Sequence, residues 1–440
     1  MNFKTKGDRM LFELLTTSVM GAIAVKSYTA KNGLVNESGK IQRILSLSGL
    51  NVKDGKETHT TQLIRKKQYN WGWEYKYRIP LGRSFDDYVL KVRVLEDGLN
   101  NRRKRITVAD LKSIKFDKDI LNSLSSLFQS KLTDRKEIQL DYDGLLIVRV
   151  YDSPLPKDVS FVPGDRWCVP VGMTREKNTF KYHDFESIPH LVIGGATRYG
   201  KSNFINTLIN SLLQSSAEHV HFYLIDLKGG VELCDYEHIK QTDSIAYEPE
   251  EALSTLQAAY EKMRSVQQQV RSSGKKNVQQ ANIKERYFII IDEVGELNPN
   301  EAVTREEKLL KQECQKLMSQ IARLGAGLGF RQILATQYPV GDVIPRQCKQ
   351  NSDAKLSFRV QSAVASRVVL DSEGAEMLPQ IKGRAIYQTA DKREIVQTPL
   401  ITEDVITSTI EPHIVTKGLS NEKTEVNESM RADSITFETI

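Results

Sequence analysis

Cysteine is scarce in this chain: four in 440 residues, Cys168, Cys234, Cys314 and Cys348. They lie far apart, without paired metal-ligand spacing, which excludes a zinc ribbon and a disulfide framework and makes a reducing compartment the expectation. Long apolar runs are also missing. The one candidate, Met10–Val25, contains Glu13 and falls short of the roughly 20 apolar residues that a spanning helix needs. Because it follows Lys4, Lys6 and Arg9, it reads as an amphipathic helix able to touch a membrane surface, with a short anchor as the other reading. No internal repeat is visible.

Acidic residues are few at the front. Residues 1–150 carry 28 Lys and Arg against 17 Asp and Glu, while the remainder carries 34 against 39. A basic module joined to a nearly neutral one suggests an anionic partner, nucleic acid or a membrane surface.

What is present divides into four parts: 1–30, the apolar or amphipathic helix; 31–152, a basic α+β domain; 153–402, a larger α/β domain; and 403–440, an acidic tail. Within the second part, a short helix is expected around Ile41–Leu47 and another helical stretch over Phe85–Glu96. In Tyr69–Ile79, Trp71, Trp73, Tyr75, Tyr77 and Ile79 alternate, the period-2 mark of a strand with one buried face. Its aromatics are read as core, with base stacking as the minor reading. The tetrad Arg102-Arg103-Lys104-Arg105 reads as a loop, and Leu145–Val150 as a closing strand.

From about Tyr151 the texture changes. Leu191–Ile193, Val220–Ile225, Tyr287–Ile291, Gln332–Thr336 and Ala354–Val360 are apolar runs separated by helical stretches, which predicts a mainly parallel sheet with helices on both faces. From Glu403 onward, 8 Asp and Glu against 3 Lys and Arg read as a disordered tail.

The strongest chemical signal is Gly195-Ala196-Thr197-Arg198-Tyr199-Gly200-Lys201-Ser202, a full match to G-x-x-x-x-G-K-[ST]. Its glycines let backbone N–H groups turn toward phosphate oxygens, Lys201 reaches the β and γ phosphates, and Ser202 ligates Mg²⁺. A strand, HLVI, precedes it, and a helix beginning near Asn203 places its positive end at the phosphates. The expected ligand is therefore ATP with Mg²⁺, bound by residues 195–203. About 90 residues on, Tyr287–Ile291 runs into Asp292-Glu293. Asp292 is placed to hold Mg²⁺ through water, and Glu293 to polarise the attacking water as general base. Gln337, at the end of Ile333–Thr336, suits a γ-phosphate sensor. The fold class is thus α/β, a RecA-like P-loop ATPase core preceded by a small α+β domain.

The stretches IPHLVIGGATRYGKSN, LIDLKGGVEL, YFIIIDEVGEL, IARLGAGLG, ILATQYP and SRVVLDSEGAEML resemble, in order and approximate spacing, the FtsK/SpoIIIE-type DNA translocases, including coupling proteins of Gram-positive conjugative elements. The resemblance covers roughly Ser160 to Pro399. It implies a homo-hexameric ATPase that threads double-stranded DNA through a pore, with a relaxase or secretion channel as partner in the conjugative case, working in the cytoplasm with peripheral membrane contact through the first helix. The matching DNA contacts are Lys349 and Arg367, with Lys355, Arg346 and Arg359 able to compensate where Tyr338 replaces an arginine. Asp226 and Lys228 match a family D-x-K element; the residues alone suggest a strand-end ion pair. Two departures stand out. Arg198-Tyr199 occupies positions where the family tends to have Gly-Ser, and Ala326 stands where the family has its trans-acting arginine, for which Arg323 is the substitute. A chromosome-segregation motor, which would carry several membrane spans and a winged-helix module, and a nucleotide switch that moves no DNA are the alternative readings.

Overall fold

The computed structural model describes residues 37–100, 135–175, 179–337, 341 and 343–415. Met10–Val25, the basic tetrad at 102–105 and Tyr338 lie outside these residues. Among the described residues no helix is long and apolar enough to cross a membrane.

The first unit runs α1 (Glu37–Leu47), a hairpin of β1 (Val52–Asp54) and β2 (Glu57–His59), β3 (Gln62–Tyr69), β4 (Gly72–Arg78), α2 (Phe85–Val89), α3 (Val92–Leu99), β5 (Glu137–Tyr142) and β6 (Leu146–Tyr151). Its main sheet is antiparallel in the order β3-β4-β6-β5. One face is buried under the helices, where Ile41, Leu45, Tyr88 and Leu95 pack against Tyr75, Tyr77, Val148 and Val150. The alternating aromatics thus serve the core. They do not form one strand from Tyr69, because Gly72, at φ 144°, lets the chain turn back there, and Trp71 stacks on Tyr69 with ring centroids 4.9 Å apart.

The second unit runs β7 (Cys168–Thr174), β8 (Phe180–Asp184), β9 (Leu191–Gly194), α4 (Lys201–Ser216), β10 (Val220–Ile225), β11 (Thr242–Ala246), α5 (Pro249–Ser272), β12 (Arg286–Ile291), α6 (Arg305–Leu324), β13 (Phe330–Thr336), α7 (Arg346–Gln350), β14 (Ala354–Phe358), α8 (Ala363–Leu370), β15 (Arg384–Gln388), β16 (Arg393–Gln397) and α9 (Glu403–Ile410). These strands form one ten-stranded sheet, ordered β11-β10-β12-β13-β9-β14-β15-β16-β7-β8. From β11 to β14 every neighbour pair is parallel; from β14 to β8 every pair is antiparallel. The five strands expected from apolar runs form the parallel half, with β11 added at its edge. Their continuous hydrophobicity reflects burial on both faces: all six residues of β12 and all seven of β13 are buried.

Of the stretch expected as a disordered tail, residues 416–440 lie outside the described residues, and its beginning is helical. Residues 403–410 form α9, which lays Ile406 and Thr409 onto α4, where Gln214 donates to the Thr409 hydroxyl at 2.8 Å. A polar composition concealed this helix because only one face is covered.

The two units meet at arginines. Arg175 pairs with Glu137 at 2.5 Å, and Arg384, 3.9 Å from the same carboxylate, also donates to the carbonyls of Leu155 and Pro156 in the connecting segment at 3.0 and 3.1 Å. Burial pulls the Arg384 guanidinium down to about 10.

Candidate active site

β9 ends at Gly194 and α4 begins at Lys201, so residues 195–200 form a loop at the carboxyl edge of the parallel strands. Neighbouring strands hold it. The Gly195 N–H donates to Thr336 at the end of β13 (3.2 Å), that of Ala196 to Arg359 just beyond β14 (3.0 Å), and Tyr199 accepts from the N–H of Gly383 (2.9 Å). A Cβ on Gly195 would stand 2.6 Å from that of Phe358, so only glycine fits beside this strand. Gly200 takes φ 118° at the N-cap of α4, leaving the first-turn N–H groups of the helix without intrahelical partners. Such a helix start attracts anions. Arg198 also has a left-handed φ, 71°, a conformation that glycine adopts without penalty. The glycine that the resemblance leads one to expect at this point would therefore have a backbone reason.

Lys201, buried on the first turn of α4, donates to the backbone carbonyl of Asp292 at 2.8 Å and to its Oδ1. Asp292 is fully buried at the end of β12, and its Oδ2 has no hydrogen-bond partner. Burial pushes the Asp292 carboxyl up, against the pull of Lys201. An unpartnered carboxylate oxygen, with the Ser202 hydroxyl on the helix turn that carries Lys201, is a donor set suited to Mg²⁺, a hard cation that takes oxygen ligands. The residues present therefore fit an ATP–Mg²⁺ site.

Glu293, one residue on, is also buried. Its Oε1 accepts from the Thr336 hydroxyl at 2.7 Å, and its Oε2 from the backbone N–H of Gln337 at 2.9 Å. The Gln337 side chain in turn accepts from the Thr197 hydroxyl at 3.0 Å, linking β13 to the phosphate loop. Lys201, Asp292, Glu293 and Gln337 are thus brought together.

Several expected residues stand elsewhere or carry other contacts. The Asn203 amide donates to the Pro399 carbonyl at 2.6 Å and accepts from the Ile401 N–H at 3.2 Å, bracing α4 against the following strand end. Arg323 is exposed in the last turn of α6, ahead of β13, and so belongs to the opposite edge of the sheet from its own loop. Lys349 and Lys355 both pair with Asp371, the former at 2.6 Å, and Arg367 pairs with Glu373. Arg346, Lys349, Lys355 and Asp371 line a hollow of about 570 Å³.

The strand-end ion pair between Asp226 and Lys228 does not form. Asp226 is fully buried and accepts from the N–H groups of Lys228 (3.3 Å), Glu232 (2.8 Å) and Leu233 (3.0 Å), while the Lys228 ammonium lies 3.0 Å from Glu293 Oε2. The resemblance singled out both residues, but the sequence could not assign their partners. Thr336 was missed as a holder of Glu293 because a threonine ending a strand carries no distinguishing mark.

A glycine-bearing loop between a central parallel strand and a helix, facing an acidic pair at a neighbouring strand end, defines a P-loop ATPase of RecA-like architecture. Residues 163–324, which carry the loop, Lys228, the acidic pair and Arg323, match the model of the FtsK/SpoIIIE family, so this segment is FtsK/SpoIIIE-type. The chain is 32% identical over 238 residues to a DNA translocase FtsK of Chlorobaculum tepidum, covering 50% of this chain and 28% of that one. To a DNA translocase FtsK of Caldanaerobacter subterraneus it is 33% identical over 237 residues, covering 52% and 32%. The chain therefore spans under a third of these relatives' length. Among solved structures, the conjugation coupling protein TcpA of pCW3 with ATPγS matches at a TM-score of 0.57 and 19% identity, covering 86% of this chain and 99% of that one. ATPases 2 and 3 of EssC from Geobacillus thermodenitrificans match at 0.50 and 16%, covering 59% and 51%. At these identities the likeness concerns the fold.

Proposed function

We propose that the chain is an ATP-driven motor that moves double-stranded DNA as a homo-hexamer in the cytoplasm, serving conjugative transfer or the maintenance of a plasmid or mobile element. The carrying observation is the convergence of Lys201, Asp292 and Glu293 at adjoining strand ends within the family-matched segment. The coupling role draws on the TcpA likeness, which spans both units of the fold.

In this reading Lys201 leaves Asp292 for the β and γ phosphates, with residues 195–203 around the nucleotide. Ser202 and Asp292 would hold Mg²⁺, which when bound neutralises charge on the phosphate oxygens. Glu293 takes a proton from water as the water oxygen bonds to the γ phosphorus; the bond to the β–γ bridging oxygen breaks, and ADP and phosphate leave. Gln337 senses the γ phosphate through the loop it touches at Thr197. Arg323, on the sheet edge away from its own loop, reaches the site of the adjacent subunit. Lys349, Lys355 and Arg367 meet DNA phosphates, a relaxase or secretion channel receives the motor, and residues 10–25 rest on the membrane surface.

Steady-state ATP turnover, measured with and without duplex DNA at low salt, tests this. The motor reading expects stimulation by DNA, and expects Glu293→Gln to bind ATP while losing hydrolysis. Unstimulated turnover favours the nucleotide switch, and appreciable turnover in Glu293→Gln contradicts the general-base role.

A further inference from the structure

Among the described residues, three donors hold the Glu293 carboxylate, and they differ in how readily each can leave. The Thr336 hydroxyl and the Gln337 N–H belong to the end of β13, which is hydrogen-bonded to β12 on one side and β9 on the other. The Gln337 N–H is fixed by the backbone at the strand end, and the Thr336 hydroxyl is carried on a fully buried side chain. The third donor, Lys228, sits in the loop after β10 with 24% of its side chain exposed, against 3% for Glu293. Its backbone is fixed, since Asp226 takes the N–H of Lys228 and, beyond the left-handed Gly229 and Gly230, those of Glu232 and Leu233. The loop is thus anchored on both sides of its diglycine by one buried carboxylate. The Lys228 side chain remains as the part of this assembly able to swing on and off Glu293.

A carboxylate oxygen engaged by an ammonium and an N–H, with its partner oxygen engaged by a hydroxyl, is poorly placed to accept a proton from water. We infer that Lys228 is a positioning residue that acts through Glu293: paired with it, Lys228 withholds the base, and its departure, driven by DNA engagement, frees Oε2 for the attacking water. The inference rests on the general-base reading of Glu293. Lys228 would thereby couple hydrolysis to the presence of DNA without itself contacting either.

The experiment compares ATP turnover of wild type, Lys228→Met and Lys228→Arg, each with and without duplex DNA, with thermal unfolding midpoints as a check on folding. Loss of one charge-assisted hydrogen bond is expected to raise DNA-free kcat of Lys228→Met by about tenfold, leaving the DNA-stimulated rate near wild type. The stimulation ratio then collapses, and Lys228→Arg restores it. DNA-free turnover of Lys228→Met at or below the wild-type level overturns the inference, and Lys228→Gln provides the same readout should the methionine variant fold poorly. Wild type serves as the control for the underlying reading. Wild-type protein without ATP turnover contradicts the motor itself, whereas stimulated wild type beside an unchanged Lys228→Met contradicts only the role of Lys228.

Discussion

The Lys201 ammonium donates to both the backbone carbonyl and the carboxylate of Asp292, so the lysine proposed to meet phosphate and the aspartate proposed to hold Mg²⁺ neutralise each other between the start of α4 and the end of β12. Each is buried, and each is the other's principal compensation. Lys201→Met should therefore do more than abolish nucleotide binding. It leaves a buried carboxylate unpaired, which costs about 3–5 kcal/mol. Burial already raises the Asp292 pKa, and a group raised in the folded state contributes stability that is present at low pH and lost as pH rises through its folded value. Urea unfolding of Lys201→Met is accordingly expected to show its largest deficit at neutral pH, shrinking toward acid. A deficit constant with pH would mean that Asp292 finds another partner.

Arg323 is exposed and stands on the sheet edge away from its own phosphate loop. An arginine acting between subunits separates from the base in a mixing experiment. Arg323→Ala alone is expected to lose about a thousandfold in kcat, the lower range for such arginines. Mixed oligomers of Arg323→Ala and Glu293→Gln should regain turnover, because some interfaces then combine an intact base with an intact arginine. Mixtures as inactive as their parents would remove Arg323 from this role.

Asp371 occupies two of the cations proposed to meet DNA. It pairs with Lys349 and Lys355, and although burial opposes it, these two lysines lower its pKa. Asp371→Asn removes the competing anion and is compatible with the left-handed backbone there, φ 59°, which asparagine tolerates. Duplex affinity should rise at fixed salt. Lys355→Gln should lower it and reduce the slope of log affinity against log salt by about 0.9, the value for one phosphate contact. Fluorescence anisotropy across a salt series measures both.

Glu186 anchors the opposite edge of the sheet, accepting from Arg286 at 2.7 and 3.0 Å and from Arg331 at 2.8 Å. Burial works against its charge, but hydrogen bonds from Arg286 and the charge of Arg331 prevail and hold the carboxyl at about 2. A depressed carboxyl contributes stability above its unfolded value and loses it as pH falls through the folded one, here between the ordinary 4.5 and about 2. Glu186→Gln should flatten the acid limb of a stability-against-pH curve in that window. At neutral pH it should cost about 3 kcal/mol through the unpaired guanidiniums, as seen by urea unfolding.

Much of the candidate site was legible because its signals are local. The loop at 195–202 needs its glycines, lysine and serine only at a fixed short spacing, and β12 and β13 needed only largely apolar runs to announce themselves. The antiparallel half of the sheet was not legible. β8 and β16 contain exposed or half-buried polar residues, and the pairing of β16 with β7 joins chain segments more than 200 residues apart, as with Val396 opposite Thr174. The helix at 403–410 escaped notice for a related reason, since its burial is supplied by α4.

By itself the sequence determined which residues can do chemistry, because a phosphate loop and an acidic pair at a strand end are specified by residue type and short spacing. The tertiary structure alone decided their partners: that Lys201 meets Asp292, that Asp226 gathers backbone N–H groups, and that Lys228 faces Glu293. Those choices depend on strand order and register, which bring the ends of β10, β12, β13 and β9 side by side although about 45 to 140 residues of chain separate neighbours.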